Sequence, residues 1–359
     1  MSDPAEYMRL AIDLASRGWG RVSPNPLVGA VLVRDGGIVG EGWHREYGLA
    51  HAEVEAIRAA GDLAKGATLY VTLEPCAHTG RTGPCTDAII EAGIRRVVYA
   101  SPDPNPVAEG GAEKLASQGV EVVGGVEDSA ARLINRPFFR AFEPGSNATP
   151  WVELKLALTL DGKIADAQGR SAWISGPPAR DEVHRLRAGA DAIAIGVGTA
   201  IADDPSLTVR GSISPRVPPV RIVFDRDLRL PIGARLVNSA RETPVWVACE
   251  PGAPQVARRR LEAAGLRIFE ADSLASALNA FAAAGIRAML CEGGAGLSSA
   301  LLAANLVDRL TLVFAPVMLG PGALDPFIGL PSPPLADARR WRHVRTAVLG
   351  TDTLISVER

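Results

Sequence analysis

The sequence predicts an α/β protein of two domains, the first a three-layer α/β/α sandwich. Three observations lead there. Short β-branched runs alternate with stretches of helical apolar period along the whole chain. A cluster of turn residues, FEPGSNATP at 142–150, interrupts that alternation with nothing to bury. And 359 residues suit two domains of roughly 150–200 residues better than one.

From the N-terminus, residues 4–17 carry a helical period, and strands follow at 27–33 and 38–42 around the Asp35-Gly36-Gly37 turn, a hairpin. Helices at 52–60, 86–92 and 112–118 then alternate with strands at 67–73 and 96–100, and a helical stretch spans 128–141. The turn cluster places the boundary between a domain of residues 1–147 and one of 148–359. Beyond it, strands at 152–158, 190–196, 220–224, 245–248, 288–291 and 310–315 and helices near 178–188, 256–264, 274–284 and 297–304 build a second α/β sheet. Stretches 343–349 and 353–357 read as an antiparallel edge. No internal repeat links the halves.

Composition narrows the function. With 47% apolar and 22% charged residues the chain is globular, which excludes disorder, collagen-like repeats and coiled coil. Lys+Arg 38 against Asp+Glu 40 leaves a net charge of −2 and no basic run, so nucleic acid and anionic lipid are not expected partners. The acidic start is no secretory signal, and the longest apolar run, 310–320, is short of the ~18–20 residues of a membrane span. Four cysteines are too few for a disulfide scaffold; the expectation is a cytoplasmic protein whose thiols are reduced and, where functional, bind metal or react.

The strongest chemical signal is His51-Ala52-Glu53 opening a helix, with Cys76 after a strand and Cys85 before the next helix. One imidazole and two thiols are three tetrahedral zinc ligands, and three protein ligands leave the fourth position to water, the mark of a catalytic site. Zinc lowers the pKa of that water toward ~7. Residues two apart share no helix face, so His51 and Glu53 converge only at a helix N-terminus beside a cleft. Glu53 is then the general acid/base that moves a proton to a ring nitrogen and the departing amine, as in nucleobase deaminases. Singly, each residue has a duller reading: His-x-Glu occurs by chance, and a lone cysteine is usually a small core residue. A closed structural zinc would need His78 as fourth ligand.

HAEVEAI, GATLYVTLEPCAHTGRTGPCTDAIIEAG and PDPNP, preceded by SPNPLVGAVLV and GEGWH, closely resemble the deaminase half of the bifunctional bacterial riboflavin-biosynthesis deaminase/reductase family. The resemblance covers residues 1–147 and implies a cytidine-deaminase-like fold. The implied substrate is a diaminopyrimidinone bearing ribose 5-phosphate, which loses its 2-amino group. Asn25, His44, Arg81, Asp103 and Asn105 match the family's substrate positions. Without the resemblance, Asn25 and Asn105, each between prolines, read as turn residues. Arg81 suits a phosphate on charge grounds. Gly83 and Ala50 stand where the family usually has proline, and the segment after Pro106 looks about one residue shorter, departures that bear on loop stiffness.

In the second half, Gly196-Val197-Gly198-Thr199 and Glu292-Gly293-Gly294-Ala295-Gly296 each follow an apolar strand, and their amides could cradle phosphate or simply turn the chain. The KLALTLDGKIA, SAWISG, GVGTAIADDPSLTVR and CEGGAGL segments resemble the reductase half of the same family in order. That implies a dihydrofolate-reductase-like α/β domain, NADPH as cofactor, and reduction of the ribosyl group to ribityl. Ser171, Arg187, Leu207, Arg210 and Glu292 match substrate positions, with Arg187 and Arg210 as phosphate anchors. Lys155 and Asp203 are the family-matched acid/base pair, though alone they read as a surface lysine and an Asp-Asp-Pro turn. Ala157, Trp173, Thr199, Asp203, Gly294, Ala295 and Gly296 match cofactor positions; Trp173 reads equally as core. Arg226, after a strand where the family often has serine, is a separate candidate for the adenosine 2′-phosphate. The expectation is a zinc- and NADPH-dependent enzyme acting on a small pyrimidine ribose phosphate, with no nucleic-acid or membrane partner, as a homodimer or homotetramer. Its competitors are a monofunctional deaminase with a C-terminal ligand-binding domain and a non-enzymatic zinc-stabilised module.

Overall fold

The computed structural model describes residues 3–79, 83–143, 149–172 and 174–359. Arg81, Trp173 and most of the turn cluster, 144–148, lie outside the described residues. The chain divides into two compact units, Met1–Ser146 and Asn147–Arg359.

In the first unit, helix α1 (Pro4–Ala15) is started by Asp3, whose carboxylate accepts from the Ala5 amide, with proline at the first helical position. Strands β1 (Gly29–Arg34) and β2 (Gly37–Trp43) form the expected hairpin. Helix α2 (Ala52–Ala60), β3 (Thr68–Leu73), α3 (Cys85–Glu91), β4 (Arg96–Ser101), α4 (Gly111–Ser117), β5 (Glu121–Gly124), α5 (Asp128–Ile134) and α6 (Arg136–Arg140) follow. The sheet order is β2-β1-β3-β4-β5, antiparallel from β2 to β3 and parallel from β3 to β5. Alternation along β1 divides the core: Ala30 and Leu32 pack with α2, α3 and α4, while Val31 and Val33 pack with α1 and α5. This is the three-layer arrangement the sequence predicts.

Two glycines let α2 lie against β2. A Cβ on Gly42 would sit 2.3 Å from the Ala52 carbonyl oxygen and 2.4 Å from the Ala56 nitrogen; one on Gly40 would sit 2.4 Å from the Ala56 oxygen. Backbone that close leaves no room for a methyl group. Gly42→Ala is therefore expected to lift the start of α2, which carries His51 and Glu53, and to lower zinc content and ammonia release together; metal analysis of the variant checks this.

The sequence predicts one helix over 128–141, but the structure breaks it at Asn135. The Asn135 side chain instead clamps a neighbouring segment, accepting from the Leu27 amide at 2.7 Å and donating to the Leu27 carbonyl at 2.8 Å. A buried amide satisfied at both ends outweighs one more helical turn. Strand β5 was not anticipated, because four half-exposed residues, EVVG, are too short to show alternation.

The second unit contains β6 (Trp151–Thr159), α7 (Pro177–Ala188), β7 (Ala192–Gly196), α8 (Val197–Asp203), β8 (Val220–Phe224), α9 (Arg235–Asn238), β9 (Val245–Cys249), α10 (Gln255–Ala263), β10 (Arg267–Glu270), α11 (Leu274–Ala283), β11 (Ala288–Cys291), α12 (Ala295–Ala303), β12 (Arg309–Ala315), β13 (Arg342–Leu349) and β14 (Asp352–Glu358). Its nine strands run β10-β9-β8-β7-β11-β6-β12-β14-β13. All neighbours are parallel up to β12, after which β14 and β13 form the antiparallel edge read from the sequence. One face is covered by α8, α9 and α10 around Ile193, Ile195, Val223 and Val247; α11 and its Phe281 cover the other around Ala194 and Ile222. The GVGT segment is the start of α8, and β10, another four-residue edge, was not anticipated. No helix among the described residues is long and apolar enough to cross a membrane.

Candidate active sites in the two units

In the first unit His51 stands at the N-cap of α2, Cys76 follows β3, and Cys85 is the first residue of α3. The three converge. His51 Nδ1 lies 3.2 Å from Cys85 Sγ and 3.7 Å from Cys76 Sγ, and the three ligand atoms lie within 4.8 Å of one another. A tetrahedral zinc shell holds nitrogen and sulfur ligands about 3.6 Å apart, so the observed separations fit one ion without rearrangement. One imidazole and two thiols are also the soft, borderline donors that zinc prefers. The α3 terminus prepares a thiolate: the Cys85 amide donates to Cys76 Sγ at 3.5 Å. The Cys76 thiol is pushed down to about 4 by the hydrogen bond from the Cys85 thiol, helped by His51 and that amide. Cys85, which gives that hydrogen bond and is buried, moves the other way.

Glu53 sits in the first turn of α2 and is 4% exposed. Burial raises its pKa, so the carboxyl retains a proton more readily than a surface glutamate. His51, Glu53 and Cys76 line a cavity of about 270 Å³ together with Asn25, His44, Asp103 and Asn105. His44 has no nitrogen to spare. Its Nδ1 is 3.1 Å from the Ala50 oxygen and its Nε2 is 3.2 Å from Asn25 Nδ2, and burial lowers its pKa. A neutral ring donating from Nδ1 and accepting at Nε2 satisfies both contacts. It thereby turns the Asn25 amide so that Nδ2 faces the ring. Asp103 accepts from the Asn105 amide, and Asn105 from the Val107 amide, two successive Asx turns; burial raises the Asp103 pKa to about 6. His78 also lines this cavity, while its loop partner Arg81 lies outside the described residues.

In the second unit a cavity of about 680 Å³ lies where β6, β11 and β7 end side by side, the usual ligand position in open α/β sheets. Lys155, Ala157, Ser171, Arg187, Thr199, Asp203, Arg210 and Glu292 line it, with the Gly294-Ala295-Gly296 segment. Leu207 and Arg226 are not among its lining residues. Leu207 is buried in the core with φ of 50°, and Arg226 pairs with Glu250 at 2.7 Å. The α12 N-terminus has no side-chain cap, and a Cβ on Gly294 would come within 2.8 Å of Thr199 Oγ1. Uncapped amides closely faced by a hydroxyl suit a nucleotide phosphate.

Arg187 is fully engaged. Its Nε and Nη2 bind the two Glu292 oxygens at 2.5 and 3.0 Å, and its Nη1 donates to the Thr208 carbonyl at 2.9 Å. Burial would raise the Glu292 pKa, and pairing with Arg187 overrides it and holds the group ionised. Burial lowers the Lys155 pKa, with the Arg187 charge adding to the effect and Glu292 opposing it. Burial raises that of Asp203 against a hydrogen bond from Ser171.

Known proteins agree with this geometry. The cytidine and deoxycytidylate deaminase zinc-binding region matches residues 1–101 and the RibD C-terminal domain matches 150–355. The riboflavin biosynthesis protein RibD of Aquifex aeolicus is 40% identical over 354 residues, covering 98% of each chain. That of Escherichia coli K12 is 40% identical over 363 residues, covering 97% of each. Among solved structures, Acinetobacter baumannii RibD superposes with a TM-score of 0.85 at 38% identity, covering 99% of this chain and 98% of that one. The Thermotoga maritima diaminohydroxyphosphoribosylaminopyrimidine deaminase/5-amino-6-(5-phosphoribosylamino)uracil reductase gives 0.84 at 36%, with the same coverage.

Fold and sites together define a bifunctional enzyme, a zinc-dependent deaminase joined to an NADPH-dependent reductase. The match over 150–355 disfavours a C-terminal half that only binds a ligand. The chain belongs to the RibD family of riboflavin-biosynthesis enzymes.

Proposed function

We propose that residues 1–147 deaminate 2,5-diamino-6-(5-phosphoribosylamino)pyrimidin-4-one and that residues 148–359 reduce the ribosyl group of the product to ribityl. The observation that carries this reading is the convergence of His51, Cys76 and Cys85 at the wall of a cavity that His51, Cys76 and the buried Glu53 line. His51 Nδ1 and the two sulfurs would hold zinc, which would supply hydroxide near neutral pH. The Glu53 carboxylate moves two protons in turn, the first from the attacking water to the pyrimidine ring nitrogen and the second from the resulting hydroxyl group to the departing amine, which leaves as ammonia. Asn25, oriented by His44, and Asp103 with Asn105 bind the pyrimidine edge, and Arg81 is placed on the phosphate by charge.

In the reductase half, NADPH would supply, when bound, the hydride that reduces the ribosyl group. Thr199, Asp203 and the Gly294–Gly296 segment hold the cofactor, joined by Ala157 and Trp173. Lys155, half-buried, lining the cavity and with a lowered pKa, is the proton donor, and Asp203 completes the acid/base pair. Ser171, Arg210 and Glu292, which line the cavity, position the substrate, whereas Leu207 lies in the core. Arg226, at the end of β8, is proposed to exchange Glu250 for the cofactor's 2′-phosphate. Arg226→Ala should then raise KM for NADPH more than for NADH; equal increases in steady-state assays contradict this role.

The four free cysteines suit a cytoplasmic enzyme, and the assembly implied by the resemblance is a homodimer or homotetramer. The pathway step is tested by incubating the protein with the diaminopyrimidinone phosphate while following ammonia and NADPH absorbance. Ammonia release without NADPH, and NADPH oxidation only once deaminated product exists, is expected. NADPH oxidation with no ammonia contradicts the order.

A further inference from the structure

We propose that Arg221, a buried arginine of β8 that does not line the reductase cavity, is a positioning residue for the reductase step: it locks the turn after α8 and so sets where the Asp203 carboxyl stands. The inference rests on the reductase reading, in which Asp203 is half of the acid/base pair, and adds a residue to it.

Asp203 is the last residue of α8. Just beyond it, Asp204 and Leu207, neither a glycine, hold left-handed φ of 39° and 50°. Such residues keep that conformation only where their surroundings impose it. The downstream part of the segment is tied to α7, because Arg187 donates to the Thr208 carbonyl and His184 Nδ1 accepts the Arg210 amide. The part next to Asp203 is tied to α9 instead. Asp204 Oδ1 accepts the amide of Arg235, the first residue of α9, at 2.8 Å. Between the two left-handed residues, the Ser206 carbonyl accepts from Arg221 Nη1 at 3.3 Å, and the same nitrogen donates to Ser239 Oγ at 2.7 Å. Arg221 Nη2 donates to the Ser239 carbonyl at 2.9 Å and to the Thr243 carbonyl. Ser239 directly follows α9, so the turn is pinned at both ends of that helix. Arg221 is 1% exposed, and these acceptors are all neutral. A buried cation bound to neutral groups is a costly way to fill a core. What it supplies is a rigid fork of donors that bridges the turn and α9.

The test uses the full chain with pre-deaminated substrate. Arg221→Met is expected to lower kcat for NADPH oxidation about 10- to 100-fold, with KM for NADPH within about threefold and ammonia release unchanged. On an Asp203→Asn background the same substitution should cost less than about threefold, since the carboxyl it misplaces is already gone. Arg221→Lys, which restores the charge and part of the bonding, should recover part of kcat. Asp204→Ala loosens the same turn, leaves the buried guanidinium in place and should give the same loss in kcat alone; this arm remains where Arg221→Met does not fold. Hydrogen exchange read by mass spectrometry needs no catalysis: peptides carrying the Arg210 and Arg235 amides should exchange faster in both variants, and those of β7 at wild-type rates. That readout stands even if the wild type fails to oxidise NADPH, the outcome that would remove the reductase reading. Full kcat in the folded variants, an equal loss on both backgrounds, or unchanged exchange at those amides overturns the positioning role.

Discussion

Glu53→Gln is expected to slow ammonia release by about 10²- to 10⁴-fold while the protein keeps its zinc. Glutamine has the same shape and fits the same buried place in the first turn of α2, but its amide cannot take up a proton from the nucleophile and return it to the leaving amine. Burial already holds the Glu53 carboxyl above the usual carboxylate range, which suits a group that must hold the proton between two transfers. The check is a steady-state ammonia assay beside metal analysis. NADPH oxidation with pre-deaminated substrate should be unchanged. A variant that retains zinc and full deamination would leave Glu53 with no part in the chemistry.

Arg187→Met is expected to destabilise the second unit by about 3–5 kcal/mol, because it strands the buried Glu292 carboxylate. Both Glu292 oxygens are bound by Arg187, and the two side chains are only 14% and 12% exposed. The substitution also frees the Thr208 carbonyl, which Arg187 holds two residues before Arg210. Removing both charges with Arg187→Met/Glu292→Leu should recover much of the stability but not the reductase activity, since Glu292 faces the cavity. Urea denaturation followed alongside the two activities checks this. Ammonia release should survive in both variants, and a single variant as stable as the wild type contradicts the pairing.

The deaminase chemistry was legible in the sequence because it is local. A histidine at a helix start, a glutamate two residues on, and cysteines at a strand end and a helix start leave a pattern that spacing alone reveals, and the structure brings the three ligands together. The alternation of β6 and the unbroken apolar run of β1 are legible for the same reason. What stayed hidden depends on partners distant in sequence. Nothing near Arg187 announces that Glu292, 105 residues away, will occupy its guanidinium. The break at Asn135 follows from a bond to Leu27, 108 residues away. The resemblance implies a substrate contact for His44, and in the structure both its nitrogens are engaged by Asn25 and Ala50. His184 stands three residues before Arg187, which puts both on one face of α7, a signal the helical period contains. Strands β5 and β10 are too short for any period to register.

Zinc-edge X-ray absorption of the purified protein tests the site most directly. The expected coordination shell holds two sulfurs together with nitrogen and oxygen donors, unchanged in Glu53→Gln and lost in Cys85→Ser. A shell of four sulfurs, a shell with no sulfur, or one that survives the removal of Cys85 would contradict the assignment of His51, Cys76 and Cys85 as the metal ligands.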